Sequence, residues 1–106
     1  MTNSEDACLL RIFVGESDKH GHTPLYETVV LKAREVGLAG ATVHRGVMGF
    51  GRLSVLHTAK ILRLSEDLPM IIEIVDRQAR IDAFLPTLQT LAPGALVTLE
   101  QVRIIS

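Results

Sequence analysis

The sequence predicts an α+β fold in which four strands and two helices follow one another as βαββαβ, with the helices on one face of a four-stranded, antiparallel-type sheet. Three observations carry this. Two segments repeat apolar residues at helical spacing, four others have the branched, alternating character of strands, and 106 residues is the size of one domain. Hydrophobic residues at 47% and charged residues at 22% are ordinary globular usage, which excludes intrinsic disorder.

The elements follow in order. Residues 1–7 are polar and acidic and are expected to be a flexible N-terminus before a single domain over 8–106. Cys8-Leu-Leu-Arg-Ile-Phe-Val-Gly15 has strand composition and ends at Gly15. After a polar loop over 16–22, Thr23 is placed to N-cap a helix with Pro24 in its first position. Tyr26, Val29, Val30, Ala33 and Gly37 then recur at helical spacing, which predicts a helix over 24–36 closed by Gly37. Residues 41–47 have strand character. The connection over about 48–68 lacks a clean period apart from a piece around 57–64, and long connections inside small domains are commonly functional. Residues 69–75 form the next strand. Asp76 is placed to cap a second helix carrying Ile81, Phe84, Leu85, Leu88 and Leu91 or Ala92 on one stripe, with Pro86 expected to kink it or mark a broken first turn. Pro93-Gly94 ends that helix, and residues 95–105 form the last strand.

This order is the split, ferredoxin-like arrangement, which leaves one sheet face uncovered. Leu10, Ile12 and Val14 alternate with Leu9, Arg11 and Phe13, and Met70, Ile72 and Ile74 alternate with Ile71, Glu73 and Val75. Both faces are therefore largely apolar, and wetting the uncovered one is unfavourable at about 25 cal/mol per Å². Self-association through the open faces follows as an expectation. On that face Arg11 and Glu73 either pair across the central strands or stand as two separately solvated charges.

The net charge of -1 conceals a segregation. No acidic residue lies between Glu35 and Glu66, where Arg45, Arg52, Lys60 and Arg63 stand with His44 and His57, so the rest of the chain is distinctly acidic. Nucleic acid is not an expected partner, because the chain as a whole is not basic and only Phe50 offers a base platform in the basic segment. Direct membrane insertion is excluded as well: the apolar runs fall far short of the ~20 residues a spanning helix needs. The N-terminus does not read as a signal peptide, and a cytoplasmic location is expected. The lone Cys8 permits no intramolecular disulfide, argues against a Cys-based zinc site and reads as a small buried residue.

Gly49-Phe-Gly-Arg52, at the opening of the long connection, resembles the element that opens the T-loop of PII signalling proteins, and Leu68-Pro-Met-Ile-Ile-Glu-Ile-Val75 resembles the strand that leaves it. Gly40-Ala-Thr-Val-His-Arg-Gly46, Gly49-Phe-Gly51, His57-Thr-Ala59 and Leu64-Ser-Glu-Asp-Leu-Pro69 more closely resemble the PII-like family catalogued as domain of unknown function 190, over about residues 8–105. The resemblance implies a homotrimer with adenine nucleotides bound in clefts between subunits and a loop that grips a target protein, whether transporter, channel or enzyme. Gly49, Phe50, Gly51, Arg52, His57, Lys60 and Arg63 are the candidate ligand-binding residues. Gly49 and Gly51 would let backbone amides approach a phosphate, and Arg52 would offer it a forked guanidinium. Two departures limit the ligand: Leu53 replaces the Gln of PII, and Ala92-Pro-Gly-Ala-Leu96 lacks its phosphate-anchoring Gly-Asp-Gly-Lys. AMP or ADP is therefore expected rather than ATP with magnesium, as an effector and not a required cofactor. The connection has no Tyr to uridylylate, since the only tyrosine is Tyr26 on the first helix.

No enzyme is expected, because no strand-turn-helix elbow surrounds Ser17, Ser54 or Ser65. No metal is expected either: Glu16 and Asp18 near His20 and His22 leave a loose surface site as an alternative, but no carboxylate or Cys cluster completes a familiar ligand set, and the two histidines read better as solvated loop residues. The alternatives to a nucleotide-responsive regulator are a ligand-independent trimeric adaptor whose basic loops dock on an acidic partner and, more distantly, a CutA-like metal-binding trimer.

Overall fold

The structure is a computed structural model that describes residues 3–50 and 67–106. Strand β1 spans Ser4–Gly15, a short hairpin pairs β2 (Lys19–His20) with β3 (Thr23–Pro24), and α1 covers Leu25–Glu35. Strand β4 is Ala41–Arg45, β5 is Pro69–Asp76, α2 is Gln78–Leu91 and β6 is Leu96–Ile105. The main sheet has the order β4-β5-β1-β6 with every neighbouring pair antiparallel, the four-stranded sheet that the sequence predicts.

Alternation along the central strands sorts their residues onto two faces. Cys8, Leu10, Ile12 and Val14 of β1 and Met70, Ile72 and Ile74 of β5 are buried under the helices. The helices meet them with Leu25, Val29 and Ala33 of α1 and Ile81, Phe84 and Leu88 of α2, each set on one helical stripe. Full burial of each large aliphatic side chain contributes about 1.5–3 kcal/mol, so this layer supplies most of the driving force for folding. Cys8 is buried there as expected, donating its thiol hydrogen to Gln78 Oε1.

Several element ends differ from the expectation, each for a local reason. Strand β1 starts at Ser4, because Ser4–Ala7 of the segment expected to be flexible pair with Val102–Ile105 of β6. Thr23 does not cap α1. It is occupied in the hairpin opposite His20, Pro24 stands at the N-cap, and the Leu25 N–H goes to the Asp18 carbonyl at 2.7 Å. The other end closes as expected in a Schellman motif, with Gly37 N–H bonded to the Arg34 carbonyl and Leu38 N–H to that of Ala33.

Asp76 likewise does not cap α2, whose N-cap is Arg77 without a side-chain bond. The Asp76 carboxylate instead accepts the Arg77 N–H at 2.7 Å and the Ala39 N–H at 2.9 Å, with Arg80 Nε at 3.3 Å. It is a buried acidic group at the edge of the core layer, and it ties the α1–β4 connection to the start of α2. Helix α2 runs through Pro86 without a broken turn. Pro86 and Asp82 are both exposed, so the carbonyl that Pro86 leaves without a donor lies on the solvent side.

Candidate functional site at the loop neck

Strands β4 and β5 are the two posts between which the long connection is strung. Gly46 N–H continues their pairing by one bond, donating to the Pro69 carbonyl at 2.7 Å. A Cβ on Gly46 would lie 2.6 Å from Pro69 Cγ, closer than real side-chain carbons come, so the backbone passes the proline ring only because no side chain is there. Gly49 returns to the same ring: its Cβ would be 3.1 Å from Pro69 Cγ, and its φ of 154° is one that L side chains rarely adopt. The Gly46 and Gly49 spacing is thus a steric fit around Pro69.

The other side of the neck is held by the turn after β1. Glu16 N–H donates to the Leu68 carbonyl at 2.8 Å, Ser17 N–H to Asp67 Oδ1 at 3.0 Å, and Gly15 N–H to Asp18 Oδ2 at 2.8 Å. Arg45 Nη2 reaches the Glu16 carboxylate at 2.9 Å, joining this turn to the end of β4. The chain therefore enters and leaves the connection through a fixed frame. Val47, Met48 and Phe50 project from that frame with 94, 72 and 77% of their surface exposed. Three large apolar side chains within four positions form a patch of the kind that marks a contact site.

The open sheet face carries a second polar constellation. Arg11 Nε donates to Glu73 Oε2 at 2.7 Å, which settles the two sequence alternatives in favour of the pair. Arg11 Nη1 also reaches Glu100 Oε1 at 3.1 Å, and His44 Nε2 lies 2.8 Å from Glu73 Oε1. One charged ladder, Glu100–Arg11–Glu73–His44, thus crosses all four strands. The bond from Arg11, and after it the one from His44, holds the Glu73 carboxyl below the usual carboxylate range; the bond to Glu73 in turn raises the Arg11 guanidinium. Half-buried apolar pairs flank the ladder, Leu9 with Val75 on one side and Phe13 with Ile71 on the other. Exposed ion pairs contribute only about 0–1 kcal/mol each, so fold stability does not explain why three charges and a histidine are strung across this face.

Of the candidate ligand-binding residues, Gly49 and Phe50 sit at the neck, while Gly51, Arg52, His57, Lys60 and Arg63 lie outside the described residues. His20 and His22 are exposed at the β2–β3 hairpin. Among the described residues there is no group of three or more His, Cys, Asp or Glu side chains placed to hold a metal. Glu100 and His44 are the ladder members that sequence reasoning left unconnected. Strand alternation puts each on the open face, but only the pairing offset brings His44 and Glu100 diagonally beside Glu73 and Arg11.

The ferredoxin-like sheet, with β4 and β5 opening into a long connection, is a fold that solved PII-like proteins share. The apo form of CPII from Thiomonas intermedia K12, a nitrogen regulatory PII-like protein, superposes with a TM-score of 0.68 at 14% identity, over 100% of this chain and 99% of its own. CPII bound to ADP, AMP and bicarbonate gives 0.67 at 14% identity, over 96% and 91%. The GlnK–ATP complex of B. subtilis gives 0.57 at 18% identity, over 92% and 82%.

The chain belongs to the family described as an uncharacterized ACR and catalogued as domain of unknown function 190, which matches residues 7–104. A UPF0166 protein of Aquifex aeolicus (strain VF5) is 37% identical over 97 residues, 92% of this chain and 91% of its own length. One from Methanocaldococcus jannaschii is 38% identical over 82 residues, 77% of this chain and 75% of its own. No helix among the described residues is long and apolar enough to cross a membrane.

Proposed function

We propose that this protein is a non-enzymatic PII-like regulator that assembles as a homotrimer. It binds an adenine nucleotide, AMP or ADP rather than ATP, in clefts between subunits and passes the binding state to a target protein through the 48–68 connection. The observation that carries this reading is the neck itself. Gly46 and Gly49 bend the backbone tightly around Pro69 and lead directly into Phe50-Gly51-Arg52, so backbone amides and a guanidinium start from a rigid frame. The nucleotides held by the similarly folded CPII and GlnK support the choice of ligand class. The exposed Val47, Met48 and Phe50 support a protein contact at the same place. A ligand whose affinity differs between two states of the connection then shifts partner binding by that difference.

The test is a thermal-shift screen with AMP, ADP and ATP. A ligand at a hundred times its Kd stabilises the folded assembly by about 2.7 kcal/mol, enough for an unmistakable rise in melting temperature. AMP or ADP is expected to give the largest rise. A flat response to all three, with target capture that persists without nucleotide and is lost on deleting residues 50–63, would identify the ligand-independent adaptor instead.

A further inference from the structure

The charged ladder has two unlike ends. Its order across the sheet is Glu100 on β6, Arg11 on β1, Glu73 on β5 and His44 on β4, where β6 and β4 are the two edge strands. The inner members are bonded on both sides: Arg11 gives Nε to Glu73 and Nη1 to Glu100, and Glu73 turns one oxygen to Arg11 and the other to His44. The end members are not: Glu100 contributes only Oε1 and His44 only Nε2, leaving Glu100 Oε2 and His44 Nδ1 without partners among the described residues. Their side chains are 56 and 57% exposed. Three strand spacings, about 14 Å across the sheet, and a stagger from the level of Phe13 to that of Leu9 along it separate them, so the two ends cannot satisfy each other within one chain.

We propose that these ends are the complementary contacts by which copies of this chain join head to tail, His44 at the β4 edge of one copy meeting Glu100 at the β6 edge of the next. The inference rests on the reading that open sheet faces of several copies meet, and it specifies the contact that sets their register. A contact between two different patches repeats around a rotation axis and closes into a ring, so the ladders of successive copies form one continuous belt of alternating charge. The apolar pairs Leu9–Val75 and Phe13–Ile71 lie beside the belt and leave water when the faces meet, which strengthens the charge–charge attraction by lowering the local dielectric.

The belt makes assembly sensitive to pH. The groups facing His44 are Glu73 on β5 and, further along the ladder, Arg11 on β1 and Glu100 on β6; its neighbour Arg45 is engaged with Glu16 at the loop neck. With His44 neutral each ladder carries two carboxylates against one guanidinium, and bringing copies together concentrates the excess negative charge. Protonating His44 brings each ladder to neutrality and gives Glu100 of the next copy a cationic partner. Assembly therefore takes up a proton at His44 and is tighter in acidic than in alkaline solution.

Sedimentation equilibrium of the full chain at pH 8 and pH 6 tests this, with His44→Lys and Glu100→Gln beside the wild type and circular dichroism to show that each variant is folded. Wild-type association is expected to be about tenfold tighter or more at pH 6. His44→Lys, charged at both pH values, is expected to associate tightly at both, and Glu100→Gln to lose both the pH response and affinity at pH 6. Equal association of the wild type at the two pH values, or a pH response that survives in His44→Lys, would overturn the proposed contact while leaving the meeting of faces intact. A wild type that sediments as a single chain under both conditions would overturn the underlying reading itself.

Discussion

The two faces of the sheet are built from the same strands by the same alternation, yet they are finished in opposite ways. Under the helices Leu10, Ile12, Ile72 and Ile74 are closed off from water, and the buried acidic side chain there, Asp76, is held by backbone N–H groups and Arg80. On the other face Leu9, Phe13, Ile71 and Val75 remain half-exposed, and four charged or titratable side chains are linked across them. The covered face is complete within one chain. The open face mixes apolar rows with ordered charge, a combination suited to the proposed contact between copies, where apolar area would supply affinity and charge register.

The strongest way to break the contrast is Leu88→Ala, which empties a fully buried position under the sheet. It is expected to cost about 2–5 kcal/mol in urea unfolding through the cavity left behind. An Ala substitution at half-exposed Phe13 should cost the single fold much less, but Phe13→Asp places a charge in the apolar row beside the ladder. That variant is expected to keep its circular dichroism spectrum and to sediment as a smaller species, with association weakened about a hundredfold or more. The smallest effect belongs to Glu73→Gln. Because the Glu73 carboxyl sits below its unfolded value, its contribution is present above about pH 4.3 and is lost as pH falls through the lower, folded value. The variant should therefore be slightly less stable than the wild type at pH 7, with the difference shrinking as the solution is acidified below the usual carboxylate range in parallel thermal melts.

The strand and helix order was legible in the sequence because alternation and helical spacing are strong over β1, α1, β5 and α2, and the lack of any period over about 48–68 marked the long connection. What escaped were features set by pairing across long separations. The Ser4 start of β1 depends on the length of β6, and the role of Thr23 changed because a two-residue hairpin claimed it. Arg11 and Glu73 were readable as a pair since they lie on central strands of evident alternation. His44 and Glu100 were not, since their places depend on register across the 46–68 connection and across the whole α2 segment. At the neck, Gly49 was legible only as a glycine that could let a phosphate approach, and the structure reveals Pro69 as the body that it and Gly46 are shaped around.

The central claim is that the neck opens into a nucleotide site, and titration calorimetry of ADP and AMP into the wild-type protein and Arg52→Ala tests it most directly. The account predicts saturable binding to the wild type with up to one nucleotide per chain, and a loss of about tenfold or more in affinity in Arg52→Ala, as expected for removal of a charge-assisted phosphate contact. Wild-type protein that gives no binding heat and no competition with either nucleotide, or an Arg52→Ala variant that binds as the wild type does, would contradict it.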